Sequence, residues 1–205
     1  ARRAVKQRTI KRDPFAGYKL ESVPVNHRYL TGEQFAKLTG VELPTYRLCH
    51  ARDLFVFSTF TGLGRADLAN LTSENIVTEP DGSRWIHIER QKTKAECHIK
   101  LLDIPSRIID KYKGEGKDGK LFFVPATSSL CRSLKMIEEQ CKLGCHLTFY
   151  MARHSFATLI CLGNGVPIET ISRMMGHSSI RTTQIYAEIT NQKVNRDLLR
   201  LADTT

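Results

Sequence analysis

The spacing of apolar residues changes once along this chain, and that change restricts the possible folds more than any other feature. Over most of the chain apolar residues recur at helical intervals, as in the long run that carries Leu54, Phe57 and Phe60. After the turn Asp81-Gly82 the spacing becomes strand-like in two runs, which carry Trp85, Ile86 and Ile88, then His98, Ile99, Leu101 and Ile104. The sequence therefore predicts a mainly α fold with a small antiparallel three-stranded β-sheet (α+β).

The N-terminal segment differs from the rest in charge and pattern. Six Arg and Lys residues lie within its first part, and Pro14 and Gly17 then interrupt any regular element. We therefore expect residues 1–28 to be the basic tail of an upstream domain plus a linker. A chain of 205 residues can bury a full core, and we expect residues 29–205 to form one folded domain.

The net charge of +10 limits the partners that this chain can have. A basic domain of this size usually meets a polyanion, and double-stranded nucleic acid is the first candidate. An anionic membrane surface would require a basic amphipathic helix with exposed apolar residues, and the sequence contains no obvious example. Apolar runs are also too short to cross a bilayer, so we expect no membrane partner and a cytoplasmic location.

The six cysteines do not suggest a disulfide framework or a metal site. Their irregular spacing is typical of reduced thiols in a reducing compartment. Cys141, Cys145 and His146 lie close together, but no second pair of ligands with matching spacing accompanies them. We therefore predict no metal and no other cofactor.

Three separated signals carry the candidate chemistry. Arg153 lies on a helix of otherwise buried type, where a guanidinium requires either a buried salt bridge or an anion. His177 and Tyr186 share the polar stretch GHSSIRTTQIY, and Lys92 lies at a predicted hairpin tip. Taken singly, these residues suit a structural histidine, a packing tyrosine and a solvated turn lysine. Together they could supply what phosphodiester cleavage needs: a nucleophile, donors to the phosphate oxygens and an acid for the leaving alkoxide.

The order of these motifs identifies a family resemblance. A hairpin lysine, then ArgHisSerPheAlaThr, then GlyHisSerSerIle-x-ThrThr-x-x-Tyr resembles the catalytic domain of the tyrosine recombinases, the phage-type integrases. In particular, the chain is similar to the integrases of bacterial conjugative transposons. The resemblance covers nearly the whole chain from about Tyr29, so it implies that residues 29–205 are a catalytic domain and residues 1–28 the tail of a DNA-binding domain.

The resemblance implies a role for each motif residue. Tyr186 would attack DNA, form a 3′-phosphotyrosyl bond and expel a 5′-hydroxyl, without metal or nucleotide cofactor. Lys92 would protonate the leaving oxygen, and Arg153 and His177 would brace the phosphate. The implied function is site-specific DNA recombination, the integration or excision of a mobile element in bacteria. The alternatives are a DNA-binding protein of the same fold with impaired catalysis and a type IB topoisomerase.

The chain departs from the family pattern at the first arginine. That arginine normally follows ThrGlyLeu, but Gly64 follows it here and Arg65 comes one position later. A shift of one residue on a helix turns a side chain by about 100°. The other candidate is Arg52, which begins an apolar run on the preceding helix. Arg52 is slightly favoured over Arg65, and a purely structural role for either arginine stays open.

A second departure is Tyr150, which stands three residues before Arg153, where the family usually has His or Lys. A phenol can donate a hydrogen bond to a phosphate but is a poor general base at neutral pH. Proton uptake from Tyr186 would thus pass to His177 or to water, and Tyr150 itself is a less favoured alternative nucleophile.

The stretch 191–202 predicts a C-terminal amphipathic helix, with Val194, Leu198 and Leu201 on one stripe. It could fold back on its own domain. The resemblance instead implies that it docks on a neighbouring subunit, so that the protein associates into a tetramer on DNA.

Overall fold

The computed structural model describes residues 29–186. The predictions for residues 1–28 and for the C-terminal helix 191–202 lie outside the described residues. In the described range the α-helices are α1 Gly32–Gly40, α2 Tyr46–Thr61, α3 Arg65–Asn70, α4 Asp103–Lys111, α5 Thr127–Cys141, α6 Phe149–Ser155, α7 Ile168–Met175 and α8 Arg181–Gln184. The strands are β1 Ile76–Thr78, β2 Arg84–Glu89 and β3 Glu96–Lys100. Within this range no helix is long and apolar enough to span a membrane.

The small sheet confirms the predicted fold class. Its strand order is β1-β2-β3, and both pairs are antiparallel. Strands β2 and β3 pair from Glu89 opposite Glu96 to Trp85 opposite Lys100, so the residues between them form a hairpin loop. One detail of the prediction was wrong: Ile104 lies in helix α4. That helix also contains Pro105 in its first turn, where a missing backbone N–H costs no intrahelical hydrogen bond.

Helix α2 forms the centre of the main core. The hydroxyl of Thr45 accepts a hydrogen bond from the Leu48 N–H at its start, as expected for an N-cap. Its side chains are buried on most sides, with Phe55 and Phe57 fully inaccessible to solvent. The helix packs against α4, α5 and α6, so it positions the segment that follows its C-terminus relative to all three.

A second apolar cluster joins the last three helices. Helix α6 continues directly into a π-helical turn, Phe156–Cys161, a local widening that often occurs at functional sites. Phe156 in this turn packs with Ile171 and Met175 of α7 and with Tyr186. The cluster therefore holds the turn after α6, the end of α7 and the second residue after α8 in one place.

Replacing Gly62 with alanine should lower the free energy of unfolding by about 3 kcal/mol. Gly62 ends α2 with a φ of +66°, and an added Cβ would lie 2.5 and 2.8 Å from two ring carbons of Phe156. The control is Gly144→Ala, where φ is +67° but no atom lies within 4 Å of the added Cβ. We expect G62A to lower the melting temperature clearly more than G144A in thermal unfolding, and equal effects would contradict a role for the Phe156 contact.

Candidate active site

One cavity of about 720 Å³ lies where α3, the β2–β3 loop, α6 and the α7–α8 segment meet. It brings together six of the seven residues singled out from the sequence, namely Arg65, Lys92, Tyr150, Arg153, His177 and Tyr186. The remaining one, Arg52, lies elsewhere. The cavity is therefore the candidate active site.

Arg153 is the central cation of this cavity. Its Nη1 donates to the Gly62 carbonyl at 2.5 Å, and its Nη2 donates to the Met175 carbonyl at 2.8 Å. In the described part of the chain no carboxylate lies within ion-pair distance of it. Burial lowers the pKa of the guanidinium, and the charge of Arg90 acts in the same direction. A half-buried cation without an acidic partner favours an anionic ligand.

His177 lies directly against this guanidinium. Its Nε2 is 2.9 Å from Nη2 of Arg153, and its Nδ1 is 2.7 Å from Oγ1 of Thr183. Burial lowers the pKa of His177 to about 4, and the charges of Arg153 and Arg90 contribute to the shift. The imidazole is therefore neutral at pH 7 until negative charge enters the cavity.

Tyr186 is enclosed by aromatic rings. It is 4% exposed, its ring meets His154 edge to face at a centroid distance of 4.5 Å, and it stacks on His177 at 5.9 Å. Burial raises the pKa of Tyr186 to about 12, and a hydrogen bond with Tyr150 adds to the rise. Arg153 acts in the opposite direction by charge and hydrogen bonding. The phenol is thus neutral at rest and lies beside the cation that would stabilise its anion.

Tyr150 is the more exposed of the two tyrosines in the cavity. Its side chain is 56% exposed, and its ring packs edge to face on His154 at 4.5 Å. Because it also takes part in the hydrogen bond with Tyr186, it connects the buried hydroxyl to the solvent-facing side of the cavity.

Lys92 occupies the predicted position in the loop between β2 and β3. It is exposed and lines the cavity. The neighbouring Thr93 donates its hydroxyl to the Gly176 carbonyl at 2.9 Å, which holds the loop against the end of α7. The side chain of Lys92 is therefore free to move, while the loop that carries it is anchored.

The two candidates for the first arginine are separated by the structure. Arg52 pairs with Asp53 at 3.0 Å and donates to the Val41 carbonyl at 2.9 Å, away from the cavity. Arg65 lines the cavity and donates one Nη2 hydrogen bond to the Pro125 carbonyl. This placement reverses the preference for Arg52 drawn from the sequence, because local partners neutralise Arg52 where it lies.

Arg90 is the site residue that sequence reasoning missed. It is 3% exposed, lines the cavity and pairs with Asp67 at 2.9 Å. Its Nη2 donates to the carbonyls of Gly62 and Met174 at 3.4 and 3.2 Å, so Arg90 and Arg153 share the Gly62 carbonyl. Its Nε has no hydrogen-bond partner among the described residues.

The alternation of residues along strand β2 indicates that Arg90 faces the interior. Alternate residues of a strand point to the same face, so Arg90 continues the series of Ile86 and Ile88 toward the interior. Its close packing also requires Gly176, because a Cβ there would lie 2.7 Å from Cγ of Arg90.

Known proteins share both the sequence pattern and the fold. The phage integrase family matches residues 28–193. The tyrosine recombinase XerA of Saccharolobus solfataricus is 30% identical over 141 residues, which cover 68% of this chain and 46% of that protein. The XerA of Thermococcus onnurineus is 28% identical over 180 residues, which cover 82% of this chain and 60% of that protein. The chain therefore spans about half the length of these curated relatives.

Solved structures agree with this relationship at the level of fold. A lambda integrase dimer bound to a COC′ core site matches with a TM-score of 0.72 and 18% identity, covering 93% of this chain and 70% of that one. The Tn1549 transposon integrase in complex with transposon right end DNA matches with a TM-score of 0.67 and 20% identity, covering 98% and 75%. The resemblance inferred from the motifs is confirmed, and the chain belongs to the phage integrase family, with the fold of a tyrosine recombinase catalytic domain.

Proposed function

We propose that this chain cleaves and rejoins DNA in site-specific recombination through a covalent tyrosyl intermediate. The Tyr186 oxygen forms a bond to phosphorus, the bond from phosphorus to the 5′-oxygen breaks, and a 3′-phosphotyrosyl ester results. What supports the proposal above all is that Arg153, His177, Lys92 and Tyr186 line one cavity. Phosphotyrosyl formation conserves the phosphodiester energy, and the reverse attack by a 5′-hydroxyl rejoins the strand.

Two guanidiniums bind the scissile phosphate in this proposal. Arg153 has no acidic partner among the described residues, and Arg90 lies beside it on the Gly62 carbonyl. Donors aimed at the developing charge of a transition state are worth most in a site that excludes water. Gly64 stands where the family has its first arginine, and we infer that Arg90 supplies the missing guanidinium. We also infer that Arg65 contacts DNA at the rim of the cavity.

The proton of Tyr186 has two routes out of the cavity. The neutral His177 can accept it at Nε2 once the phosphate has drawn Arg153 away from that nitrogen. The hydrogen bond to Tyr150 offers the other route, because Tyr150 is 56% exposed and can pass a proton to water.

Replacing Lys92 with glutamine should slow cleavage by about 10²–10⁴-fold, the usual contribution of a general acid. A substrate with sulfur in place of the 5′-bridging oxygen should restore most of the rate, because a thiolate leaves without a proton. Single-turnover cleavage of both substrates measures this. Lys94→Gln is the matched control, since Lys94 lies in the same loop but pairs with Glu89 at 3.2 Å. Equal losses on both substrates would mean that Lys92 does not protonate the leaving group.

The proposed function is tested with a nicked duplex that carries a cognate site. Cleavage near the nick releases a short fragment, so that the covalent adduct is trapped and appears on a denaturing gel. An adduct formed only at that site supports recombination. Tight, salt-sensitive binding without an adduct would indicate the catalytically impaired DNA-binding protein. Relaxation of supercoiled DNA without site preference would indicate a type IB topoisomerase.

We also propose the setting in which this chemistry occurs. Several solved neighbours are recombinases in complex with DNA, including transposon DNA, which supports double-stranded DNA as partner and a mobile element as origin. Assembly into a tetramer would use residues 191–202 on a neighbouring subunit. The reaction would take place in the bacterial cytoplasm and would need no cofactor.

A further inference from the structure

The hydroxyl of Thr183 bonds to the nitrogen of His177 that carries the proton. An arginine side chain can only donate hydrogen bonds, so Nε2 of His177 accepts from Nη2 of Arg153 at 2.9 Å. The proton of the neutral ring must then be on Nδ1. That N–H points to Oγ1 of Thr183 at 2.7 Å, so the threonine oxygen is its acceptor.

Thr183 also belongs to the segment that carries the nucleophile. It is fully buried in α8, and its carbonyl accepts a hydrogen bond from the Tyr186 N–H at 3.0 Å. The imidazole of His177 stacks on the Tyr186 ring at an interplanar angle of 16°. One residue therefore touches both the ring that would brace the phosphate and the backbone of the tyrosine that would attack it.

We propose that Thr183 is a positioning residue: it accepts the Nδ1–H of His177, whose tautomer Arg153 selects, and so keeps Nε2 directed at Arg153 and at the phosphate that would bind there. This inference deepens the proposed function and depends on it for the phosphate. When the phosphate binds, Nε2 is then the nitrogen that takes up the Tyr186 proton and, once protonated, donates to the phosphate, while Nδ1 stays bonded to Thr183. The histidine needs no rotation between the free and the bound state.

The orientation of His177 has consequences for the charges around it. The groups that face the ring are the cations Arg153 and Arg90 and the phenol of Tyr186. Both cations disfavour a second proton on the ring. If the proton moved to Nε2, an N–H would point at a guanidinium that also only donates. Arg153 thus excludes the Nε2–H tautomer, and Thr183 offers the remaining Nδ1–H a partner.

The first measurement reads the tautomer in the free protein. Nitrogen-15 NMR of labelled histidine distinguishes Nδ1–H from Nε2–H, and we expect His177 to be the Nδ1–H tautomer in the wild type and in Thr183→Ser. In Thr183→Val the N–H loses its acceptor, so the Nδ1 signal of His177 should shift. An unchanged spectrum of His177 in T183V would overturn the proposal.

The second measurement is the single-turnover rate of adduct formation. We expect T183V to be about 10-fold slower, by analogy with the loss of a partner that orients a metal-ligating histidine, and T183S to stay within about 2-fold of the wild type. The control is Thr59→Val, since Thr59 is equally buried and donates to its own helix at the Phe55 carbonyl. A loss in T59V equal to that in T183V would show a general packing effect and contradict the proposal.

The pH profile separates positioning from packing. A packing defect lowers the rate equally at all pH values, whereas loss of the hydrogen bond to Nδ1–H shifts the limb of the profile that belongs to His177, and we expect such a shift in T183V. If the wild type forms no adduct at all, the proposed function fails, and the nitrogen-15 spectrum of His177 in T183V still decides whether Thr183 positions the ring.

Discussion

Replacing Tyr186 with phenylalanine should abolish the covalent protein–DNA adduct, lowering its rate of formation by at least about 10⁴-fold, as expected when a nucleophile is removed. The phenylalanine ring keeps the contacts with His154 and His177, so folding and DNA binding should remain. Denaturing gels with a labelled nicked duplex measure the adduct, and salt-dependent binding curves verify that the variant still binds DNA.

The matched control for this experiment is Tyr150→Phe. It removes the other hydroxyl of the hydrogen-bonded pair, and with it one proton route to solvent. We expect the adduct to form about 10-fold more slowly, since His177 remains as an acceptor. If Y150F abolished the adduct and Y186F retained it, Tyr150 would be the nucleophile, and the assignment of roles from the motif order would be wrong.

Replacing Arg90 with methionine should lower stability and cleavage together. Asp67 would lose the partner that lies 2.9 Å away with 3% side-chain exposure, and an unpaired, largely buried carboxylate costs about 3 kcal/mol. Cleavage should fall by about 10²–10³-fold, the typical cost of removing one donor to a transition-state oxyanion.

The double variant Arg90→Met with Asp67→Asn separates these two effects. Asp67 accepts a hydrogen bond from the Gln91 N–H at 3.0 Å, and the amide oxygen of an asparagine at this position can still accept it without leaving a charge unpaired. We expect thermal unfolding to return close to that of the wild type while single-turnover cleavage stays low. Recovery of both would mean that Arg90 has only a structural role.

Arg52→Met completes this comparison. Arg52 also pairs with an aspartate, Asp53, at 3.0 Å, but it lies away from the cavity that Arg90 lines. R52M should therefore lower stability with little change in cleavage. A strong loss of cleavage in R52M would restore Arg52 as the candidate for the first arginine.

The features that could be predicted from the sequence are those with a local cause. The capping box of Thr31 with Gln34 begins α1, and Gly62 and Gly176 end α2 and α7 in the left-handed conformation. Capping groups and glycines act within a few residues, so their effect can be read without knowing the fold. The strand period likewise predicted the hairpin that carries Lys92.

The roles of the arginines could not be predicted in this way. Arg52 and Arg90 both pair with an aspartate, and the sequence favoured Arg52 because it begins a run of buried-type residues on the helix before ThrGlyLeu. Arg90 reaches Gly62 and Met174 across separations of 28 and 84 residues. Contacts over such distances depend on how the sheet packs on α7, and no local pattern encodes that packing.

The sequence by itself thus determined the family, the fold class with its small sheet, and the order of the reactive side chains along the chain. Only the tertiary structure decided which cations share the cavity, how deeply Tyr186 is buried and which tautomer His177 adopts. The physical reason is that desolvation, pairing of charges and hydrogen-bond direction depend on neighbours in space, and folding brings those neighbours from distant parts of the chain.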